Sequence, residues 1–96
     1  MAAYVIADIK VRDPEQYKQY MALSPAAIAA AGGEFVVRGG RHEKLEGTWT
    51  PNRMVVVRFP TYEAARAFYD SALYREARAR RAGATETFNM VVVEGV

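Results

Sequence analysis

The sequence predicts an α+β fold of βαββαβ order with an antiparallel sheet. Three observations carry this. Four short runs, Tyr4 to Lys10, Glu34 to Arg38, Met54 to Phe59 and Thr85 to Val93, alternate in polarity or are rich in β-branched residues. Two longer stretches between them space their apolar residues by three and four, the period of an amphipathic helix. Gly32-Gly33 and Gly83 close those stretches, as glycine does past a helix C-terminus.

In the first strand Val5, Ala7 and Ile9 share one face, and Tyr4, Ile6, Asp8 and Lys10 the other. Asp13 then suits a helix N-cap, Pro14 the first helical position, and Gln16 stands three residues past the cap. Tyr17, Tyr20, Met21, Ser24, Ile28 and Ala31 form the stripe of this helix, and Pro25, which removes a backbone donor, predicts a kink or a cap-and-restart. Strands two and three are expected to pair antiparallel with Val36 opposite Val57 and the turn near Glu46-Gly47. Residues 41–46 would then pair with 48–53 as an arm beyond the sheet, with a bend at Gly39-Gly40. Pro60 stops strand three, and Thr61 caps a second helix with a buried stripe of Ala65, Phe68, Tyr69 and Ala72. Asp70-Ser71 reads as a break and recap before Leu73, Tyr74 and Ala77.

Right-handed crossovers turn this order into a ferredoxin-like sheet with both helices on one face. The uncovered face should carry Tyr4, Ile6 and Asp8, then Met54, Val56 and Arg58, then either Phe88, Met90 and Val92 or Asn89, Val91 and Val93. Either set leaves an apolar patch that needs cover. A second copy supplies it most simply, because like patches meet in a two-fold dimer.

Composition bounds the rest. At 96 residues the chain is expected to be one domain over residues 1–96, 51% hydrophobic and 25% charged. A formal charge of +2 and a pI near 9.1 are compatible with an anionic ligand but require neither nucleic acid nor membrane. The absence of cysteine excludes disulfides and thiol chemistry, and one histidine, His42, excludes a multi-histidine metal site within the chain. No metal or other cofactor is expected. The first residues lack the basic start and apolar core of a signal peptide, and no apolar run reaches the ~20 residues of a membrane helix. A soluble cytoplasmic protein is therefore expected.

Six residues stand out as candidate ligand contacts: Asp8, Arg38, His42, Trp49, Arg53 and Arg58. Asp8 and Arg58 lie on adjacent strands and could orient a ligand, although a plain cross-strand ion pair is the favoured reading. Arg38, beside the Gly39-Gly40 bend, could hold an anion with its guanidinium fork or clamp the hairpin, and the two are evenly weighted. Gly39-Gly40 is no phosphate loop, since no Lys-Ser/Thr and no helix follow. His42 has the titration range of a general base, but a solvated loop histidine is the better reading. Trp49 and Pro51 could wall a pocket, and packing of the arm on a partner chain is favoured. Tyr17, Tyr20, Tyr69 and Tyr74 could line a cavity, with core packing favoured at helical spacing. Arg75, Arg78, Arg80 and Arg81 look like a solvated helix end complementing the dipole. Nucleic-acid binding is not expected, because Met54 to Phe59 lacks the paired aromatics of RNA-recognition modules.

These residues together resemble a known bacterial family, domain of unknown function 1330 of the dimeric α/β-barrel superfamily. The similarity rests on Tyr4-Val5-Ile6, Asp13-Pro14 with Tyr17 and Tyr20, Gly32-Gly33, and Arg38-Gly39-Gly40. It continues through Leu45-Glu46-Gly47, Trp49, Pro51 and Arg53, then Val55 to Pro60, Tyr69 to Tyr74 ending at Arg81, and Glu94-Gly95. The resemblance implies a ferredoxin-like protomer whose sheets face each other in a homodimer, and it transfers no catalytic residue. Arg58 departs from the family, where an acidic residue is more usual.

Three functions are open at this point. A small-molecule binder with its cleft in a homodimer, a reading that extends to a cofactor-free enzyme, comes first. A small organic acid held mainly by Arg38 is the expected ligand, since Arg38, Arg53 and Arg58 outnumber nearby acids. A non-catalytic dimeric binding or regulatory module is the alternative, and a nucleic-acid binder the least supported.

Overall fold

A computed structural model describes residues Met1–Val96. The elements run β1 (Ala3–Val11), α1 (Pro14–Ala30), β2 (Glu34–Arg38), β3 (Arg53–Phe59), α2 (Tyr62–Asp70), α3 (Ala72–Arg81) and β4 (Thr85–Glu94). The strands form one antiparallel sheet in the order β2-β3-β1-β4, which is the ferredoxin-like arrangement. No helix is long and apolar enough to cross a membrane.

The core follows from strand alternation. Ala3, Val5, Ala7 and Ile9 of β1 and Val57 and Phe59 of β3 are buried under the helices. Tyr17, Tyr20, Ala27 and Ile28 of α1, Ala65 and Phe68 of α2, and Tyr74 and Ala77 of α3 close over them. On β4, Phe88, Met90 and Val92 join this face, while Val91 and Val93 stay exposed on the other.

The helix starts are capped as expected. The Gln16 backbone N–H donates to Asp13 Oδ1 at 3.2 Å, and that of Ala64 to Thr61 Oγ1 at 3.0 Å. Ser71 ends α2 and starts α3, accepting from the Tyr74 N–H at 3.2 Å. The Gln16 side chain does not close a capping box. It donates to the Arg80 and Ala82 carbonyls, tying the start of α1 to the end of α3.

Three local expectations need correction. α1 continues through Pro25 as one helix, so the cap-and-restart does not occur there. Tyr17 and Tyr20 before it and Ala27 and Ile28 after it are buried in one core, and that burial offsets the roughly 3 kcal/mol a helical proline costs. The β2–β3 register is Phe35↔Val57 and Val37↔Val56, not Val36↔Val57. A bulge at Val36 puts the Phe35 ring into the core and returns Arg38 to the same face. Residues 39–52 form no paired arm. Gly39, at φ +69°, turns the chain off the ladder immediately after β2, and side-chain bonds hold the segment as a loop.

Candidate functional site

A cleft opens between α1 and the helix-side face of the sheet, at the end where β2 finishes and β3 begins. Its floor includes Ala7, Ile9 and Val55, and its roof Tyr17, Tyr20 and Met21. The lining is apolar except for Ser24, Arg38 and Arg53 and the tyrosine hydroxyls. The space open to water centres within the cleft is about 40 Å³, room for two or three waters.

Both arginines reach the cleft for backbone reasons. Arg53 opens β3 opposite Ile9, so alternation puts it on the same face as Val55 and Val57. Arg38 shares that face because of the bulge, opposite Val55. Its guanidinium lies 4.3 Å from the Phe35 ring centroid. Arg53 Nε is buried without a hydrogen-bond partner, and neither arginine forms an ion pair. The backbone of Gly39 lies against the Arg53 guanidinium so closely that any Cβ there would strike it. Glycine at 39 thus serves both the left-handed turn and the seat of Arg53.

The tyrosines are tightly joined. The Tyr20 and Tyr74 hydroxyls meet at 2.7 Å, and the Tyr17 and Tyr20 ring centroids lie 5.3 Å apart. Burial, reinforced by the Tyr74 hydroxyl, pushes the Tyr20 pKa far above the ordinary value. Burial also raises that of Tyr17, against the opposing fields of Arg53 and Arg81. Both phenols are therefore neutral near pH 7. No carboxylate and no imidazole lines the cleft.

The structure separates the six candidates singled out by sequence. Arg38 and Arg53 line the cleft. Asp8 and Trp49 are bonded to each other on the opposite face: Trp49 Nε1 donates to Asp8 Oδ2 at 2.9 Å and the Asn52 N–H to Oδ1 at 2.8 Å. Asp8 stands opposite Met54, whereas Arg58 stands opposite Tyr4 and pairs with Glu34 at 3.5 Å, so the expected Asp8–Arg58 pair does not form. Arg58 also does not converge with Arg38 and Arg53, because its place in the alternation points it away from the helices. His42 is exposed on the loop, with Nδ1 3.3 Å from the Gly40 carbonyl and Nε2 3.2 Å from that of Pro51.

Arg81 is the residue that sequence reasoning placed wrongly. Its guanidinium stacks 3.6 Å from the Phe88 ring centroid and 5.2 Å from that of Tyr20, with Nε buried and unpaired. It flanks the cleft from an adjoining gap that shares Val5, Phe68, Phe88 and Met90. The usable signal was spacing: Tyr74, Ala77 and Arg81 fall at i, i+3 and i+7, on the stripe that faces the core.

The fold and the sequence pattern from Tyr4 to Gly95 find one family. The chain belongs to the domain of unknown function 1330 (DUF1330) family, matched over residues 2–96. Among solved structures it is similar to a protein of unknown function from Rhodopseudomonas palustris, at 19% identity and a TM-score of 0.75, covering 99% of this chain and 82% of that one. A dimeric ferredoxin-like protein of unknown function from Thermobifida fusca is 22% identical with a TM-score of 0.66, over 99% and 92%. SnoaB, a cofactor-independent oxygenase from Streptomyces nogalater, is 16% identical with a TM-score of 0.65, over 99% and 93%. At these identities the likeness is one of fold. No curated protein is significantly similar in sequence.

Proposed function

We propose that this DUF1330 protein is a homodimer, paired through the bare sheet faces, in which each protomer takes a small organic molecule into the cleft under α1. The apolar part of the ligand lies inward and its polar end meets the arginines at the mouth. One observation carries the reading: an apolar slot whose charged walls are two arginines without carboxylate partners. Native proteins pair buried charges, so an unpaired guanidinium beside a cleft is a place for an incoming acceptor. The dimeric Thermobifida fusca protein and the Streptomyces nogalater oxygenase support this by analogy of fold alone.

Binding is the better-supported half of the reading. The lining holds neutral phenols and permanently charged guanidiniums, and nothing that exchanges a proton near pH 7. The test is a calorimetric screen of small apolar molecules, with and without polar heads, on the wild type and on Ser24→Leu. Ser24 is buried in the lining, and leucine there fills the slot. Binding to the wild type that is lost in a folded Ser24→Leu is expected. Absence of any binding, or binding indifferent to the filled slot, would overturn the proposal.

A further inference from the structure

Arg38 and Arg53 form a diagonal pair across β2 and β3. Arg38 stands opposite Val55, and Arg53 lies two residues before Val55 on the same face of β3. Such neighbours lie roughly 7–8 Å apart, within reach of long side chains. Their guanidiniums settle on either side of Val55. That of Arg53 crosses to β2 and packs on the Gly39 backbone. That of Arg38 lies 4.3 Å from the ring centroid of Phe35, which stands opposite Val57. The gap between them is open, because Val55 and Met21, which both line it, are only half-buried and β2 is an edge of the sheet. Nearby acids are committed elsewhere: Glu34 pairs with Arg58 at 3.5 Å, and Asp8 holds Trp49 and Asn52 on the opposite face. Two like charges thus face one mouth with no acid between them, and Arg53 keeps a buried Nε without a partner. Like charges on neighbouring strands repel, and an anion between them removes the repulsion and satisfies the donors.

We infer that the cleft selects short carboxylates with an apolar tail, the carboxylate lying over Val55 between Arg38 and Arg53 and the tail passing over Ala7 under α1. The inference rests on the proposed cleft reading and adds the class of ligand and the pair that reads it. A carboxylate offers about four lone-pair sites on two coplanar oxygens, which suits two guanidinium forks. A phosphate adds oxygens that would meet Phe35, Met21 and Val55 rather than donors. Ala7, opposite Val55 on β1, is small and leaves the slot open beneath Met21. The space there, room for about two or three waters, suits a tail of about three carbons. Arg81 takes no part, since its guanidinium lies on Phe88 of β4, with the buried Tyr17 and Tyr20 between it and this mouth.

The experiment is a nuclear magnetic resonance titration of the full chain at pH 7 with butanoate, its neutral isostere butanamide, acetate and inorganic phosphate. Arg38→Gln, Arg53→Gln and Arg81→Gln are titrated alongside. Butanoate should bind the wild type about ten-fold or more tightly than butanamide, the scale of hydrogen bonds to a charged group. It should also exceed acetate by about ten-fold, for two more buried methylenes. The Nε–H signals of Arg38 and Arg53 should move with butanoate. Arg38→Gln and Arg53→Gln should each remove most of the preference for acid over amide and leave the amide affinity unchanged, while Arg81→Gln keeps it. If a glutamine variant does not fold, the lysine variant takes its place and should keep only part of the preference, because it keeps charge without the fork. Equal binding of butanoate and butanamide, phosphate binding as tightly as butanoate, or a preference that survives in both Arg38→Gln and Arg53→Gln would overturn this inference and leave the cleft reading standing. Binding of none of the probes would also overturn it, and the Ser24→Leu screen then decides the cleft reading by itself.

Discussion

Trp49 and Asp8, 41 residues apart in sequence, are joined by a 2.9 Å bond from the indole N–H to a carboxylate oxygen. The second oxygen takes the Asn52 N–H. Asp8 is only 7% exposed, although its place in the alternation puts it on the bare sheet face. Its role is to fasten the loop of residues 39–52 to β1. Asp8→Ala leaves two donors without acceptors and should lower unfolding free energy by about 1–3 kcal/mol in urea titrations. Asp8→Asn should fall between, since its carbonyl oxygen serves one donor while its amide group faces the other. Wild-type stability in Asp8→Ala would show that the loop is held by other contacts.

The same indole bears on assembly. Trp49 is 59% exposed in the protomer, beside the bare face, with its one polar atom already bonded. A large apolar ring fixed in this way is suited to anchor a partner. Trp49→Ala is expected to weaken the dimer by about 2 kcal/mol, the size of an interface hot spot, measured as a dissociation constant by sedimentation equilibrium. Trp49→Phe, which keeps most of the area and loses the bond to Asp8, should weaken it less. An unchanged constant in Trp49→Ala would remove the tryptophan from the interface.

Val91 lies on that face, in the middle of the edge strand β4. It stands opposite Ile6, which on its other side stands opposite Val56. Ile6 and Val56 are half-buried and Val91 is 59% exposed, so the rung is apolar and open. A two-fold pairing centred there should bury more than ~1,000 Å² in total, the threshold of a specific interface. A lysine at position 91 would place a charge from each protomer in the apolar face that the proposed pairing buries. If the proposed dimer pairs through this face, the wild type sediments as a dimer at micromolar concentration and Val91→Lys as a folded monomer. A dimer of unchanged strength in Val91→Lys would place the interface elsewhere.

How legible this was depended on how local each signal is. Element order and the face of each core residue were readable because alternation at Val5, Ala7 and Ile9 and the caps at Asp13, Thr61 and Ser71 are decided within a few residues. The course of residues 39–52 was not, because a positive φ at Gly39 and a bond to Asp8 from across the sheet direct it. Alternation alone also cannot show a bulge such as that at Val36, which shifts the register and puts Arg38 in the cleft. Of the arginines around the cleft, Arg38 and Arg53 stand out in the sequence through their excess of charge. Arg81 was missed because a cation in a last helical turn has an ordinary explanation, and only its stacking on Phe88 shows another.

The tyrosine pair should set the alkaline limit of the fold. Tyr20 and Tyr74 share a 2.7 Å hydroxyl bond deep in the core, where Tyr74 has no exposed surface. Burial, with the Tyr74 hydroxyl adding to it, raises the Tyr20 pKa well above the ordinary value of 10.0. A group whose folded pKa is raised keeps its proton in the native state after the unfolded chain has lost it. The stabilisation is fully present below pH ~10 and falls as pH rises beyond it, by up to about 1.4 kcal/mol per pH unit for one proton. Tyr20→Phe removes this contribution, so unfolding free energy measured in urea from about pH 8 to pH 11 should fall less steeply than in the wild type. At neutral pH the same variant strands the Tyr74 hydroxyl and should cost about 1–3 kcal/mol. Adding Tyr74→Phe should then cost little more, because a pair of apolar rings leaves no polar group behind. Identical alkaline slopes in wild type and Tyr20→Phe would mean that the buried phenol is not what titrates, and that the loss of stability above pH 10 arises elsewhere in the chain.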